Sequence, residues 1–402
     1  MKLRSITPLL LATLTISSFA AGKSEVKKKK RKSKKNKIKI SLAASIEGKL
    51  SENLDSLSDV ENFNESALTR SIKADLAIKT KFKKIRFKSK TSFQNITLEN
   101  DLYKDVETVN DSDLDERNRS TSLAQELSAS YKVNKRLSLN SALEYKKTAG
   151  YSIVSELQIL NDGSISQDKK YNLLDAKSDK VSATLGGRLK IHKKVSIFGV
   201  YKFNEFFNTD QYTFAGDQGT NDRRIHSAGS LIRWKATKRL KLSLNGQATQ
   251  TEYKDRLTTL ENGGFNQNGI VDRAKYLDTK LAIGAKLSIL SLDIDQTQRQ
   301  DQSGGGDGYI SLGIKLGLKY NINKLSLSGN IRSSQRRFNT QVGTGESDKR
   351  LDEILNATAN IGYKISKNFK IDGSISKSES DSNNIFGERD NESFGLKLSG
   401  NF

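Results

Sequence analysis

There is no cysteine among the 402 residues, so a disulfide framework, a thiolate metal site and a lipidated N-terminal cysteine are all excluded. Proline occurs once, at Pro8. A chain made almost wholly of hydrogen-bonded strands has this composition, because proline cannot donate to a ladder. Histidine occurs only as His192 and His226. No metal-ligand cluster, nucleophile motif or lysine-bearing glycine-rich phosphate loop accompanies them, so the sequence reads as neither an enzyme nor a cofactor-binding protein. Long apolar runs are missing beyond the first twenty residues, and with 35% hydrophobic and 28% charged residues the chain is too polar for a helical membrane protein.

What is present begins with Met1 to Ala20. Lys2 and Arg4 precede an apolar run from Ile6 to Ile16, and Ser18-Phe19-Ala20 offers small residues spaced for cleavage, so residues 1–20 read as a secretory signal. Residues 21–37 contain the run from Lys23 to Lys37, with ten Lys or Arg and one Glu. Such a run buries no core and is expected as a solvated, disordered periplasmic arm. Export disfavours nucleic acid as its partner, and anionic head groups or an acidic periplasmic partner fit it better. From Ile38 onward bases still outnumber acids, within a net charge of +22 for the whole chain.

From Ile38 one pattern repeats to the end. Ile38, Ile40, Leu42, Ile46 and Leu50 alternate with polar residues, a period of two and not of 3.6. Ile72, Leu76, Ile78 and Phe82 continue it, turn at Lys83-Lys84, and lead into Ile85, Phe87 and Phe93. Further tight turns fall at Asn134-Lys135-Arg136, His192-Lys193-Lys194, Thr237-Lys238-Arg239, Ser288, Asn323-Lys324 and Ser366-Lys367-Asn368, each between two alternating runs. One first strand, seven tight hairpins and a last strand at Ser393 to Phe402 make about sixteen. The fold class is therefore all-β: a transmembrane, antiparallel, up-and-down barrel over residues 38–402, with short periplasmic turns and long extracellular loops. Aromatics bracket the aliphatic band, with Phe82, Tyr131, Trp234, Tyr320, Tyr363 and Phe369 near the tight turns and Phe93, Tyr145, Phe203, Tyr276 and Phe394 near the long loops.

The final run, with Phe394, Leu396 and Leu398 in phase and Phe402 last, resembles the assembly signal of Gram-negative outer-membrane β-barrels, although Gly400 interrupts its apolar phase. The whole topology resembles the porin type of such barrels. The resemblance implies a multi-pass protein of the cell outer membrane, with that membrane's lipid and lipopolysaccharide and the barrel assembly machinery as partners, and a homotrimer as one arrangement. The smoother faces at Ala228 and Ser230, or at Ala357 and Ala359, are where subunits would pack.

If the apolar phase faces lipid, the other faces a lumen that sixteen strands leave open to water. It carries Lys73, Lys79, Arg86, Lys88, Lys90, Arg188, Lys190, Arg233, Lys235, Lys280, Lys286, Lys315, Lys319, Arg332, Lys364 and Lys397, against Asp75, Glu126, Glu144, Asp293, Asp295 and Asp372. Rings of Lys and Arg favour anions, so the expected function is passive, anion-preferring diffusion of small hydrophilic solutes, with no cofactor. In general porins the third loop folds inward and constricts the pore. Here that loop spans about Gly150 to Lys177, and Glu156, Asp162, Asp168 and Asp175 are its candidate constriction acids. Asp111, Asp113, Asp115 and Glu116 in the second loop suggest divalent-cation binding, but the stretch lacks the glycine and terminal Glu of an EF-hand loop and reads as a solvated acidic loop, with cation-bridged contact to lipopolysaccharide as the intermediate alternative. A competing expectation is a surface-binding or structural barrel that acts through its acidic loops or its basic arm. Deleting Phe402 is expected to lower the amount of heat-modifiable, folded barrel in the outer membrane severalfold; unchanged assembly would refute its role as a signal.

Overall fold

A strand with alternating apolar and polar side chains cannot hide its apolar row inside a wide barrel, so the row turns outward and the ladder closes on itself. A computed structural model describes residues 38–54, 64–100, 119–156, 170–175, 177–208, 211–212, 218–219, 222–254, 274–303, 308–342, 348–383 and 389–401. The signal, the arm up to residue 37, the acids Asp111, Asp113, Asp115 and Glu116, and Asp162, Asp168 and Phe402 lie outside the described residues.

The first strands are β1 (Lys39–Leu54), β2 (Asn64–Phe82), β3 (Ile85–Asn100), β4 (Arg119–Lys132) and β5 (Leu137–Ala149). A two-stranded ribbon, β6 (Tyr151–Glu156) with β7 (Lys170–Asp175), interrupts the series before β8 (Ser178–Lys190) and β9 (Val195–Asn208). A second small ribbon, β10 (Gln211–Tyr212) with β11 (Gln218–Gly219), precedes β12 (Arg223–Trp234) and β13 (Leu240–Tyr253). Then come β14 (Lys275–Leu287), β15 (Leu290–Asp301), β16 (Tyr309–Ile322), β17 (Leu325–Val342), β18 (Lys349–Lys364), β19 (Phe369–Ser382) and β20 (Arg389–Asn401). Without the ribbons, sixteen strands pair antiparallel in chain order and close between β1 and β20. The seam runs from Ala43 opposite Asn401 to Leu54 opposite Asp390. It is crossed by an ion pair from Lys397 Nζ to Glu47 Oε2 at 2.6 Å.

Register keeps each phase on one face all the way round. Ile46 pairs with Leu398 and with Ile72, Leu281 with Gly246 and Gln296, and Ile314 with Ile294 and Ser333. The apolar row is left bare: Ile40 is 68% exposed, Ile283 62% and Leu185 61%, whereas the buried hydrophobic residues among those described are Ala77, Tyr253, Ala274, Tyr276 and Phe338. In water this would be a continuous apolar surface far beyond what a soluble monomer carries, and a bilayer is the environment that covers it.

The tight turns are of two kinds. Lys83-Lys84, Ser288-Ile289 and Asn323-Lys324 are two-residue turns whose first residue has a positive φ of 48°, 53° and 48° respectively. That sign matches the mirror-image turns whose twist suits a hairpin. The longer turns are held by side-chain caps: Asn134 Oδ1 accepts from the backbone of Arg136 and Leu137, Thr237 Oγ1 from Arg239 and Leu240, and Ser366 Oγ from Asn368 and Phe369. In the fourth, His192 Nδ1 accepts from Lys194 N at 3.3 Å, so this histidine is a turn residue.

Four features depart from the sequence expectation. Strands run past their apolar phase: β2 starts at Asn64 rather than near Ile72, and β17 continues to Val342. Apolar alternation marks only the lipid-facing stretch, while backbone pairing goes on wherever two strands remain side by side. The last three outer connections span only 302–308, 343–348 and 383–388, so the contrast between long loops and short turns fades toward the C terminus. Tyr276 does not join the outer aromatic belt; it pairs with Asp301 on the inner face and is 3% exposed. The two ribbons were not anticipated, because short segments beyond the barrel rim lack a buried face to impose a phase.

Neighbouring positions on opposite faces should therefore respond very differently to one substitution. Leu281→Arg, in the middle of the lipid-facing row, is expected to cost about 2–4 kcal/mol. Ala282→Arg, facing the lumen, is expected to cost much less, as measured by urea unfolding in lipid vesicles. Equal costs would contradict the assignment of faces.

Candidate functional site

The lumen is the largest shared space these strands enclose, and its wall is built by the polar phase. Lys73, Asp75 and Lys79 on β2 alternate with Ile72, Leu76 and Ile78, and Arg86, Lys88 and Lys90 on β3 sit beside them across the ladder. Further round the same face come Glu126, Glu144, Arg188, Lys190, Arg233, Lys280, Lys286, Asp293, Asp295, Lys315, Lys319, Arg332, Lys364, Asp372 and Lys397. Lys235 lies just past the end of β12, in the turn.

Most acids on this face are paired, with Asp293 the exception among the described residues. Asp75 Oδ1 is 3.1 Å from Lys90 Nζ, Glu126 Oε1 3.0 Å from Lys88 Nζ and Glu144 Oε1 3.3 Å from Lys180 Nζ. Asp372 pairs with Lys370, and Glu47 with Lys397 across the seam. Asp295 serves two bases. Lys280 Nζ lies 3.2 Å from its Oδ1, while the Arg332 guanidinium takes both oxygens, at 2.5 and 2.9 Å. Arg332 reaches Asp295 from two strands away by crossing Gly313, where a Cβ would come within 2.5 Å of the arginine Nη2. The glycine is there because the ion pair passes over it. By contrast, Lys73, Lys79, Arg86, Lys190, Lys315, Lys319 and Lys364 have no carboxylate within ion-pair reach among the described residues. Apart from Asp293 the acids are consumed in ion pairs, most of them between strands, and a surplus of bases remains on the wall.

Near the extracellular rim the same face carries an arc that the sequence reading did not single out. Arg223 Cζ lies 4.7 Å from the Phe206 ring centre and 5.8 Å from that of Tyr253, which meets Tyr276 edge-on at 6.0 Å. Arg299 stacks between Tyr276 and Tyr309 at 4.9 and 5.2 Å, Arg336 lies 4.6 Å from Tyr309, and Arg350 lies 4.5 Å from Phe338. Carboxylates lock two of the guanidinium groups: Asp278 binds Arg299 at 2.8 and 3.0 Å, and Asp352, 2% exposed, binds Arg350 at 2.8 and 3.1 Å. The signal available in the sequence was phase. Phe206, Tyr253, Tyr276, Tyr309 and Phe338 fall on the polar parity of their strands, where lipid cannot explain them.

Of the third-loop acids, Glu156 and Asp175 lie in the β6–β7 ribbon, opposite Lys170 and Tyr151 respectively. The ribbon's second strand runs beside β10 of the next loop. Phe394, Leu396 and Leu398 are on the outer face of β20, 50%, 60% and 45% exposed. His226 is also on the outer face, where its Nδ1 is 2.8 Å from the Tyr201 hydroxyl and its ring packs on Phe203.

No protein-family model matches the chain, and no curated protein matches it in sequence. Among solved structures, OccAB3 from Acinetobacter baumannii aligns with a TM-score of 0.52 at 8% identity, over 90% of this chain and 99% of that one. OccAB1 from the same organism aligns with a TM-score of 0.52 at 10% identity, over 90% of this chain and 97% of that one. Both are Gram-negative outer-membrane channels of sixteen strands. At such identity the likeness is one of fold, and the chain accordingly has the fold of the sixteen-stranded outer-membrane porin barrels, with an apolar belt of its own that suits a multi-pass place in that membrane.

Proposed function

We propose that the barrel is an open pore for passive diffusion of small hydrophilic solutes, with a preference for anions. The observation that carries this reading is the charge balance of the inner wall. Asp75, Glu126, Glu144, Asp295 and Asp372 are each tied to a base, which leaves Asp293 as the wall acid without an ion pair, whereas Lys79, Arg86, Lys190, Lys315, Lys319 and Lys364 are not tied to an acid among the described residues. A paired carboxylate offers a passing cation little, because its field is cancelled within a few ångströms. An unpaired ammonium keeps its field, and in a narrow low-dielectric tube that field concentrates counter-ions. Fixed positive charge on the wall thus raises the local anion concentration and excludes cations.

Reconstitution in planar bilayers under a KCl gradient tests the proposal. The reversal potential is expected to report chloride permeating severalfold better than potassium, less so as ionic strength rises and screening shortens the reach of the lysines. A clear cation preference would overturn the anion reading, and a barrel that never conducts would overturn the pore. Asp295→Asn supplies a second test. It frees Lys280 and Arg332 and is expected to shift the reversal potential further toward chloride, while costing about 1.5–3 kcal/mol of stability through lost charged hydrogen bonds.

A further inference from the structure

At the tight-turn end of the lumen the wall is hollowed. Following the ladder from β8 to β15, one row reads Lys190, Ser196, Arg233, Ser243, Gly284 and Asp293. Small residues occupy Ser196, Ser243 and Gly284, and bases stand around them. A Cβ at Gly284 would collide with Asp293 Oδ1 and come within 2.6 Å of Ser243 Oγ, so a larger residue there would have to displace both side chains. The result is a cavity of about 590 Å³ walled by Arg188, Lys190, Arg233, Lys241 and Lys286, with Asp293 its single acid. Its volume falls within the range of small-molecule sites.

Two of these bases are held in place. Phe198 projects from β9 between Arg188 on β8 and Arg233 on β12, and the two guanidinium carbons lie 5.0 and 4.9 Å from its ring centre. Neither arginine has a carboxylate partner among the described residues. Stacking on one ring orients both planar forks without using their N–H donors. This differs from the arc at the other rim, where Arg299 and Arg350 spend their donors on Asp278 and Asp352.

We propose that this cavity is a binding site for a multivalent phosphate anion, one whose charges are spread along a short chain. Spacing selects that class. Arg188, Arg233, Lys241 and Lys286 stand on β8, β12, β13 and β14, with neighbouring strands about 5 Å apart, so a compact ion reaches only part of the set while a condensed phosphate chain reaches several bases at once. Guanidinium groups match phosphate oxygens in bidentate geometry, and the serine hydroxyls on the floor add neutral donors. The site takes the open lumen of the proposed pore as given, but binding itself does not require conduction.

The folded full-length barrel in detergent micelles is titrated calorimetrically with sodium tripolyphosphate and with orthophosphate at one ionic strength. Tripolyphosphate is expected to bind at least tenfold more tightly. Arg188→Gln with Arg233→Gln is expected to weaken it at least tenfold, and Arg188→Lys with Arg233→Lys to restore only part, because charge returns without the fork or the stack. The control Lys324→Gln with Lys367→Gln removes the same charge from two other turns and is expected to change binding less than twofold. Heat-modified migration on gels verifies that each variant folds. Equal affinity for the two phosphates would overturn the site, as would equal losses in both double glutamine variants, which would mark diffuse attraction to a basic rim. A silent barrel, or a cation-selective channel, that still binds tripolyphosphate through Arg188 and Arg233 would overturn the pore or its anion preference respectively and keep the site; an anion pore without such binding would do the reverse.

Discussion

Everything in this molecule depends on one ladder being closed. Inside a bilayer no water is available for backbone N–H and C=O groups, so each must find a partner within the protein. Fifteen consecutive pairings leave two open edges, and the pairing of β1 with β20 removes both. The same requirement accounts for the lack of proline beyond Pro8, since a missing donor in any central strand would be an unpaired carbonyl facing hydrocarbon. Closure also fixes face. With the register set by the two-residue turns and the seam, a slip of one residue in any strand would send a row such as Lys73, Asp75 and Lys79 into lipid. The seam ion pair between Glu47 and Lys397 is the polar side of the same register, joining residues from opposite ends of the chain.

Once the apolar phase is committed outward, the inner wall is released from any need to pack. That release explains why charge accumulates there and why it is arranged in cross-strand pairs. Directly opposed or diagonally placed positions on neighbouring strands are within reach of Lys, Arg, Asp and Glu side chains, and the wall uses such contacts repeatedly, from Lys90 with Asp75 to Lys280 with Asp295. Most of these pairs are partly exposed and contribute little to stability alone, the buried Asp295 being the exception. Its effect on a passing ion is larger, because pairing decides which charges still act at a distance. Where acids are fewer than bases, pairing removes nearly all the negative field and only part of the positive one.

The sequence disclosed the parts of the fold that a periodic constraint writes into it. Lipid imposes a period of two on every crossing, and tight turns leave Lys83-Lys84, Asn134 or Thr237 at the breaks, so strand number, turn positions and faces were all readable. Strand ends were not, because pairing beyond the bilayer, as in Ser333 to Val342, asks nothing of the side chains' polarity. Candidate site residues were readable only as members of a face. That Arg332 spans Gly313 to meet Asp295, or that Phe198 separates two arginines, depends on which residues the stagger of the barrel brings into one row, and no local pattern records the stagger. Tyr276 was misplaced for a related reason: nearness to a long loop suggested a membrane belt, while its parity already pointed inward.

The two ends of the lumen put the same residue type to opposite uses. Toward the outside, Arg223, Arg299, Arg336 and Arg350 are interleaved with aromatic rings, and Arg299 and Arg350 also with carboxylates, so the rim carries a chain of contacts running from β9 to β18. Toward the tight turns, Arg188 and Arg233 share a ring without an acid, and Lys79, Lys190, Lys319 and Lys364 stand without ion-pair partners among the described residues. A guanidinium braced by carboxylate is neutralised as well as fixed, whereas one braced by an aromatic face is fixed and still charged. The outer rim thus sets two carboxylates, Asp278 and Asp352, among its four stacked guanidinium groups, whereas the pair at the tight turns is stacked without one. The difference between the two ends follows from the partner each arginine stacks against rather than from the number of arginines at either end.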